Sequence, residues 1–310
     1  MKLTLIGCTG FIGQELVPRL LKEGHKLTIV SRKSPPTFQE ISQTGKINNI
    51  YMDPTNQNAW GEESIVNALK NSEGIINLAG EPIADKRWTE EHCKKIETSR
   101  LNTTNYLINA LKEAKCKPKV IINASAIGFY GTSEEQRFSE ESLPGNDFLA
   151  KLCEKWEAIA RQRPKRTRIV ILRIGIVLGP NGGALKKMLP IFKAGLGGPI
   201  GNGDQWMSWI HRTDICRIIE HSLNNSLWSG VLNCVAPEPT KMREFAAELG
   251  SCLGRPSILP VPGQILKLML GDGAKIVLEG QYVISNKLTK LGFKFKYPNL
   301  SQALYLSTNL

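Results

Sequence analysis

Apolar positions in the first half of the chain alternate between two textures. Short, mostly apolar runs at Lys2–Ile6, Lys26–Ser31, Ile47–Met52, Gly74–Leu78, Val120–Ala124 and Arg168–Ile174 read as strands buried on both faces. Between them lie stretches with apolar residues at helical spacing. Phe11, Ile12, Leu16, Leu20 and Leu21 follow the first strand, and a longer helical stretch runs from about Thr89 to Ala114. This alternation predicts a parallel, doubly wound α/β sheet with helices on both faces. After Gly179-Pro180 the texture changes, and glycine and proline punctuate Asn181–Gly183, Gly195–Gly201 and Pro237–Pro239. The pattern divides the chain into a sheet domain at 1–180 and a smaller α/β lobe at 181–310. The two interleave, because Val231–Val235, within 205–236, reads as a strand returning to the sheet.

The chemistry begins at the first turn. Lys2–Ile6 ends in Gly7-Cys-Thr-Gly10-Phe-Ile-Gly13, and a helical pattern follows at once. This is the strand–glycine turn–helix opening of a Rossmann-type dinucleotide site. Gly7 allows the tight turn, Gly10 lets backbone N–H groups approach a pyrophosphate, and Gly13 lets helix and strand pack closely. The phosphates would sit on the positive end of the helix that starts near Phe11. The end of the second strand indicates which dinucleotide. An NAD site usually places Asp or Glu there for the ribose 2′-OH, but this chain has Ser31-Arg32-Lys33. Arg32 can take a 2′-phosphate in a fork, with Ser31 as donor and Lys33 as a nearby charge, so the expected cofactor is NADP. Asp53, after the third strand, reads equally as an acceptor for the adenine amino group or as an Asp-Pro turn.

Composition sets outer limits. With 310 residues, 41% hydrophobic and 22% charged, the chain has the make-up of a soluble globular protein. No apolar stretch approaches the ~20 residues of a membrane span. Met1-Lys2 leads directly into the first strand, so no leader is expected and a cytoplasmic location is. Seven scattered cysteines with no CxxC pair, and four dispersed histidines, fit reduced thiols and no metal site. The net charge of +12 favours anionic partners. Its densest run, Arg161–Arg168, reads as a solvated connection, and no nucleic-acid-binding motif accompanies it.

Together these residues resemble the extended short-chain dehydrogenase/reductases, the group that includes nucleotide-sugar epimerases. The resemblance is carried by Gly7–Gly13, Asn77-Leu-Ala-Gly80, Ser125–Gly131, Leu172–Pro180 and Trp209-Ile-His-Arg-Thr-Asp214. Asn77–Glu81, Trp88, Ser99-Arg100, Lys155-Trp-Glu157, Gly195–Gly201 and Leu278–Gln281 are similar to a YfcH-like, "SulA family" epimerase-like subfamily. The resemblance implies cofactor contacts from Gly7, Thr9, Gly10, Phe11, Ile12, Gly13, Ser31, Arg32, Leu78, Ala79, Gly80, Arg100 and Val177. It also implies a small, nucleotide-sugar-like substrate and an association with bacterial and plastid division.

The chain departs from the family at the reacting groups. The wider family uses a Tyr-x-x-x-Lys pair, whose lysine lowers the tyrosine pKa so that the phenol can move a proton. Counting back from Glu157 puts Leu149 and Cys153 at those two positions, and Ala126 at the usual serine. Tyr130 and Ser125 are the expected substitutes for catalysis. Lys151 falls on another helix face. His211 is either titratable or a brace for the fold. Arg100 and Arg173 are expected anion contacts, to cofactor or substrate phosphate, and Gly195–Gly203 reads as a lid. Three functions stay open: an NADP-dependent epimerase-like oxidoreductase, an NADP-binding regulatory protein that a partner reads, and, resting on charge alone, a nucleic-acid-associated protein.

Overall fold

In a computed structural model, residues 1–33 and 45–308 are described. The first part of the chain runs β1 (Lys2–Ile6), α1 (Gly13–Lys22), β2 (Lys26–Ser31), β3 (Ile47–Tyr51), α2 (Glu63–Lys70) and β4 (Gly74–Asn77). It continues through α3 (Glu90–Glu113), β5 (Val120–Ala126), β6 (Ser133–Phe138), α4 (Phe148–Arg161) and β7 (Arg168–Ile174). Shorter pieces follow: β8 (Ile176–Leu178), α5 (Leu185–Lys193), β9 (Trp206–Met207), β10 (Trp209–His211), α6 (Arg212–Asn224) and β11 (Gly230–Cys234). The chain closes with β12 (Thr240–Lys241), α7 (Met242–Leu253), α8 (Gly263–Leu270), α9 (Lys275–Leu278), β13 (Gln281–Val283), α10 (Asn286–Lys290) and α11 (Leu300–Thr308).

Seven strands form one parallel sheet in the order β11-β7-β5-β4-β1-β2-β3. Successive side chains of a strand point to opposite faces, and here both faces are buried. Leu3 and Leu5 of β1 join Leu16, Val17 and Leu20 of α1 and Ile215, Ile218 and Ile219 of α6. On the other face Ile6, Ile75, Ile121 and Ile171 meet Ile65 and Leu69 of α2 and Leu107, Ile108 and Leu111 of α3. This two-sided burial is why the strands read as continuous apolar runs.

From β1 the chain winds outward through β2 and β3. From β4 it winds the opposite way through β5, β7 and β11. Strand order therefore reverses between β1 and β4, and the crevice at their carboxyl ends is where such sheets take ligands. A second core, with Phe192, Trp209, Met242, Phe245, Leu249 and Leu304, builds the later part of the chain. Asp214, fully buried at the start of α6, ties in the C-terminal segment by accepting from the Lys296 and Tyr297 N–H groups at 2.7 and 2.9 Å.

The glycine-rich segment 195–203 does not have the free backbone of a lid. The Val261 N–H donates to the Pro199 carbonyl (2.9 Å), and the Gly201 N–H donates to the Val261 carbonyl (3.0 Å). A Cβ on Gly198 would lie 2.0 Å from the Leu259 carbonyl oxygen. Gly198 serves close packing against Leu259, and Gly197 packs against the Phe192 ring.

Candidate cofactor and active site

The β1–α1 turn lies at the point of strand reversal, and its three glycines do different work. Gly7 has φ +74°, and a Cβ there would come within 2.5 Å of the Ala79 backbone, so the turn touches the segment after β4 directly. A Cβ on Gly13 would fall 1.8 Å from the Cys8 carbonyl oxygen, so only glycine lets α1 start where it does. Gly10 is exposed, and its Cβ would meet nothing closer than the Gly7 carbonyl oxygen at 3.8 Å. The open space belongs to Gly10 alone of the three. Among the described residues no side chain caps α1. The Gln14 N–H donates to the Gly10 carbonyl and the Glu15 and Leu16 N–H groups to the Ile12 carbonyl, so the N–H groups open to a ligand are those ahead of Gln14. Thr9 and Ile12 are half-buried in the same turn. The Phe11 ring packs where Cβ atoms on Gly182 and Gly183 would be, and the Arg212 guanidinium lies 4.6 Å from its centroid. Val177, on β8, pairs with Ile210, and a Cβ on Gly183 would lie 2.6 Å from its carbonyl oxygen.

At the end of β2, the buried Ser31 hydroxyl donates to the Lys33 carbonyl (2.9 Å), bracing the bend that presents Arg32 and Lys33 to solvent. Arg32 has no ion pair among the described residues. The Asp53 carboxylate accepts from the Thr55 N–H and hydroxyl at 2.9 and 2.8 Å, a local turn after β3.

A buried polar network sets the segment after β4. The Asn77 amide donates to Asn123 (2.8 Å) and Thr104 (3.0 Å) and accepts from the Ala79 N–H (3.2 Å). The Trp156 indole completes it by donating to Thr104 at 2.8 Å. Leu78, Ala79 and Gly80 are held in this way beside the glycine turn. Arg100, from α3, reaches across Gly80, where a Cβ would stand 3.0 Å from its Cζ.

The groups at the ends of β5 and β7 differ from the sequence expectation. Ser125 and Arg173 are register partners, and Glu157 on α4 bridges them. The Ser125 hydroxyl donates to Glu157 at 2.8 Å, and Arg173 grips the same carboxylate in a fork at 2.8 and 2.9 Å. The Tyr130 hydroxyl donates to Asn233 (2.7 Å) and accepts from Arg173 (2.9 Å). Both Tyr130 and Arg173 are 3% exposed. Burial pushes the phenol pKa up, against the Arg173 charge that pulls it down. Tyr130 and Ser125 therefore hold their hydroxyls to protein partners in this structure. Arg173 is neutralised by Glu157 and is not open to a phosphate. Tyr130→Phe should cost about 1–3 kcal/mol by leaving Asn233 and Arg173 short of a partner. Urea unfolding checks this, and NADPH affinity should stay unchanged.

Leu149 and Cys153 occupy α4 beside this strand end, with Leu149 Cβ 3.4 Å from where a Gly128 Cβ would be. The Cys153 thiol is buried, and desolvation pushes its pKa up to about 11, so it is neutral near pH 7. Lys151 lies exposed on the same helix. His211 caps α6 by accepting from the Thr213 N–H (3.2 Å) and packs 4.3 Å from the Tyr297 ring centroid. Burial lowers its pKa, so it stands as a neutral brace. In the basic run, Arg161 pairs with Glu157, while Arg163 and Arg168 donate to backbone carbonyls.

A family model, "NAD dependent epimerase/dehydratase family", matches residues 3–234. The chain belongs to this family. A second model, a domain of unknown function (DUF1731), matches residues 261–305. The chloroplastic SDR39U1 homolog of Arabidopsis thaliana, an epimerase family protein, is 40% identical over 306 residues, covering 98% of this chain and 86% of that protein. Human epimerase family protein SDR39U1 is 38% identical, with 98% of both chains covered. A crystal structure of human SDR39U1 (isoform2) with NADPH has a TM-score of 0.88 at 36% identity, covering 100% of this chain and 99% of that one. UDP-glucuronic acid 4-epimerase from Bacillus cereus, in complex with NAD, shares the fold at 19% identity and TM-score 0.79, with 100% and 98% covered. Among the described residues no helix is long and apolar enough to cross a membrane.

For a member of the epimerase/dehydratase family, sequence reasoning missed the Glu157–Arg173 pair. One signal was present. Glu157 falls within the buried stripe of α4 formed by Cys153, Trp156 and Ala160, and a carboxylate there requires a cation.

Proposed function

We propose that this epimerase/dehydratase family member is an NADP(H)-dependent oxidoreductase that works on a small substrate without the Tyr–Lys pair. The observation that carries the cofactor reading is the empty space at Gly10, flanked by two glycines that packing requires and by an uncapped helix. The human relative solved with NADPH supports it. The reading assigns the pyrophosphate to the backbone of Gly10–Gly13 and Thr9. It assigns the 2′-phosphate to Arg32 on the bend braced by Ser31, and the wall of the site to Leu78–Gly80 and Val177. Bound there, the nicotinamide supplies or accepts the hydride. Residues 1–180, with the sheet completed by part of 205–236, form the cofactor half, the rest of 181–310 forms the substrate lobe interleaved with it, and the substrate is nucleotide-sugar-like. A cytoplasmic location belongs to the same reading.

Arg32→Ala tests the choice of dinucleotide. Loss of a forked, charge-assisted contact of about 1.5–3 kcal/mol should weaken NADPH ~10–100-fold and leave NADH nearly unchanged. Calorimetric titration of both cofactors measures it. Equal wild-type affinities, or a preference that survives the substitution, would remove the assignment.

A second reading is favoured by Leu149 and by the neutral, buried Cys153: NADP(H) binding without turnover, read by a protein partner. Cell or plastid division is the setting that the resemblance attaches to it. NADPH oxidation with a metabolite pool separates the two, since the regulatory reading predicts none.

A further inference from the structure

The two arginines at the carboxyl ends of the central strands are treated in opposite ways. Arg173 donates to Glu157 and Tyr130 with all three of its nitrogens. Arg100 makes one hydrogen bond, from Nη1 to the Ile96 carbonyl at 3.0 Å, and has no ion pair among the described residues. Its Nε–Nη2 edge lies along Gly80, where a Cβ would stand 3.4 and 3.1 Å from those atoms. The guanidinium also packs 5.5 Å from the Trp156 ring centroid. Ser99, its neighbour, is engaged elsewhere, accepting from the Glu81 N–H and donating to the Ile96 carbonyl. The Glu81 carboxylate acts on Arg100 only from beyond ion-pair range, and burial pulls the Arg100 pKa down. Cys153 lies close enough to feel its charge.

Arg100 is thus a half-buried cation with an unused donor edge, beside the segment that walls the cofactor site. A charge drawn out of water needs partners, and among the described residues the Nε–Nη2 edge of this one has no hydrogen-bond acceptor. A parallel pair of N–H donors matches a planar carboxylate in a fork. The position next to Cys153 is also where the site lacks the lysine ammonium.

We propose that Arg100 is the substrate-anion site of this protein and receives a carboxylate of the substrate in a fork along Gly80. The substrate class is then a carboxylic acid bearing an oxidisable hydroxyl or a reducible carbonyl. The proposal rests on the cofactor reading above, which places the reacting end of the dinucleotide on this side of Leu78–Gly80.

Oxalate is a minimal planar probe, and inorganic phosphate serves as a second anion. Each is titrated by calorimetry into NADPH-loaded wild type, Arg100→Met and Arg100→Lys. NADPH affinity is measured separately for all three, and circular dichroism confirms the fold. Oxalate should bind the wild type and weaken ~10-fold or more in Arg100→Met. Arg100→Lys should recover part of the loss, because it keeps the charge without the fork. NADPH affinity should stay within ~3-fold throughout. A ~10-fold loss of NADPH in Arg100→Met would instead make Arg100 a cofactor contact and overturn the proposal. Equal oxalate binding in wild type and Arg100→Met, absence of oxalate binding, or tighter binding of phosphate than oxalate would overturn it too. Failure of the wild type to bind NADPH would strike the cofactor reading first. Oxalate binding to the unloaded chain, lost in Arg100→Met, would then still show an anion site without a cofactor beside it.

Discussion

Gly10→Val is expected to abolish NADPH binding while the protein stays folded. The valine Cβ meets no protein atom closer than 3.8 Å, so the native backbone accepts it. Its branches fill the space in which backbone N–H groups would approach a pyrophosphate. The expected loss exceeds ~100-fold in affinity, or about 2.8 kcal/mol. Gly13→Val is the contrasting control. Its Cβ would collide with the Cys8 carbonyl at 1.8 Å, so that protein should fail to fold before it fails to bind. Calorimetry with NADPH, beside a thermal melt, reads both outcomes. A folded Gly10→Val protein that keeps NADPH affinity would show that the turn does not cradle phosphate.

Arg173→Met is expected to destabilise the protein by about 3–5 kcal/mol, because it strands the buried Glu157 carboxylate. The Ser125 hydroxyl and Arg161 at 3.1 Å remain as partners, but Arg161 sits nearer solvent and makes one contact, not a fork. Combining Arg173→Met with Glu157→Leu should recover most of the loss, since an apolar pair of similar volume does not need the compensation that a lone charge does. Urea denaturation of the two single variants and the double variant measures this. A loss below ~1 kcal/mol in Arg173→Met would mean that the pair is not the brace between β5, β7 and α4 described here.

The doubly wound sheet was legible because strands buried on both faces leave continuous apolar runs, and these fell within a residue or two of β1–β5 and β7. The glycine turn was legible because each glycine answers a separate local demand on the backbone. The pairings of β8 with β10, β9 with β12 and β6 with β13 were not. Strands of two or three residues carry no period of their own, and the six residues of β6 are polar and exposed apart from its ends.

Tyr130 shows a different limit. Nothing local marks its partners, since Arg173 lies 43 residues away and Asn233 lies 103 away. A phenol on a loop after a central strand therefore looks reactive until the fold closes over it. Arg100 and Arg173 were indistinguishable as sequence because the difference lies in Glu157, which only tertiary packing delivers to one of them. The bend at Ser31–Lys33 was readable, but its continuation at 34–44 lies outside the described residues.

The most direct test of the account is the crystal structure of this chain with NADPH. The pyrophosphate should lie on the N–H groups of Gly10–Gly13 and the 2′-phosphate within hydrogen-bond distance of Arg32. The nicotinamide should lie beyond Leu78–Gly80, with Arg100 still free to take an anion and Tyr130 still bonded to Asn233. Density for the cofactor elsewhere, or a 2′-phosphate turned away from Arg32, would contradict it.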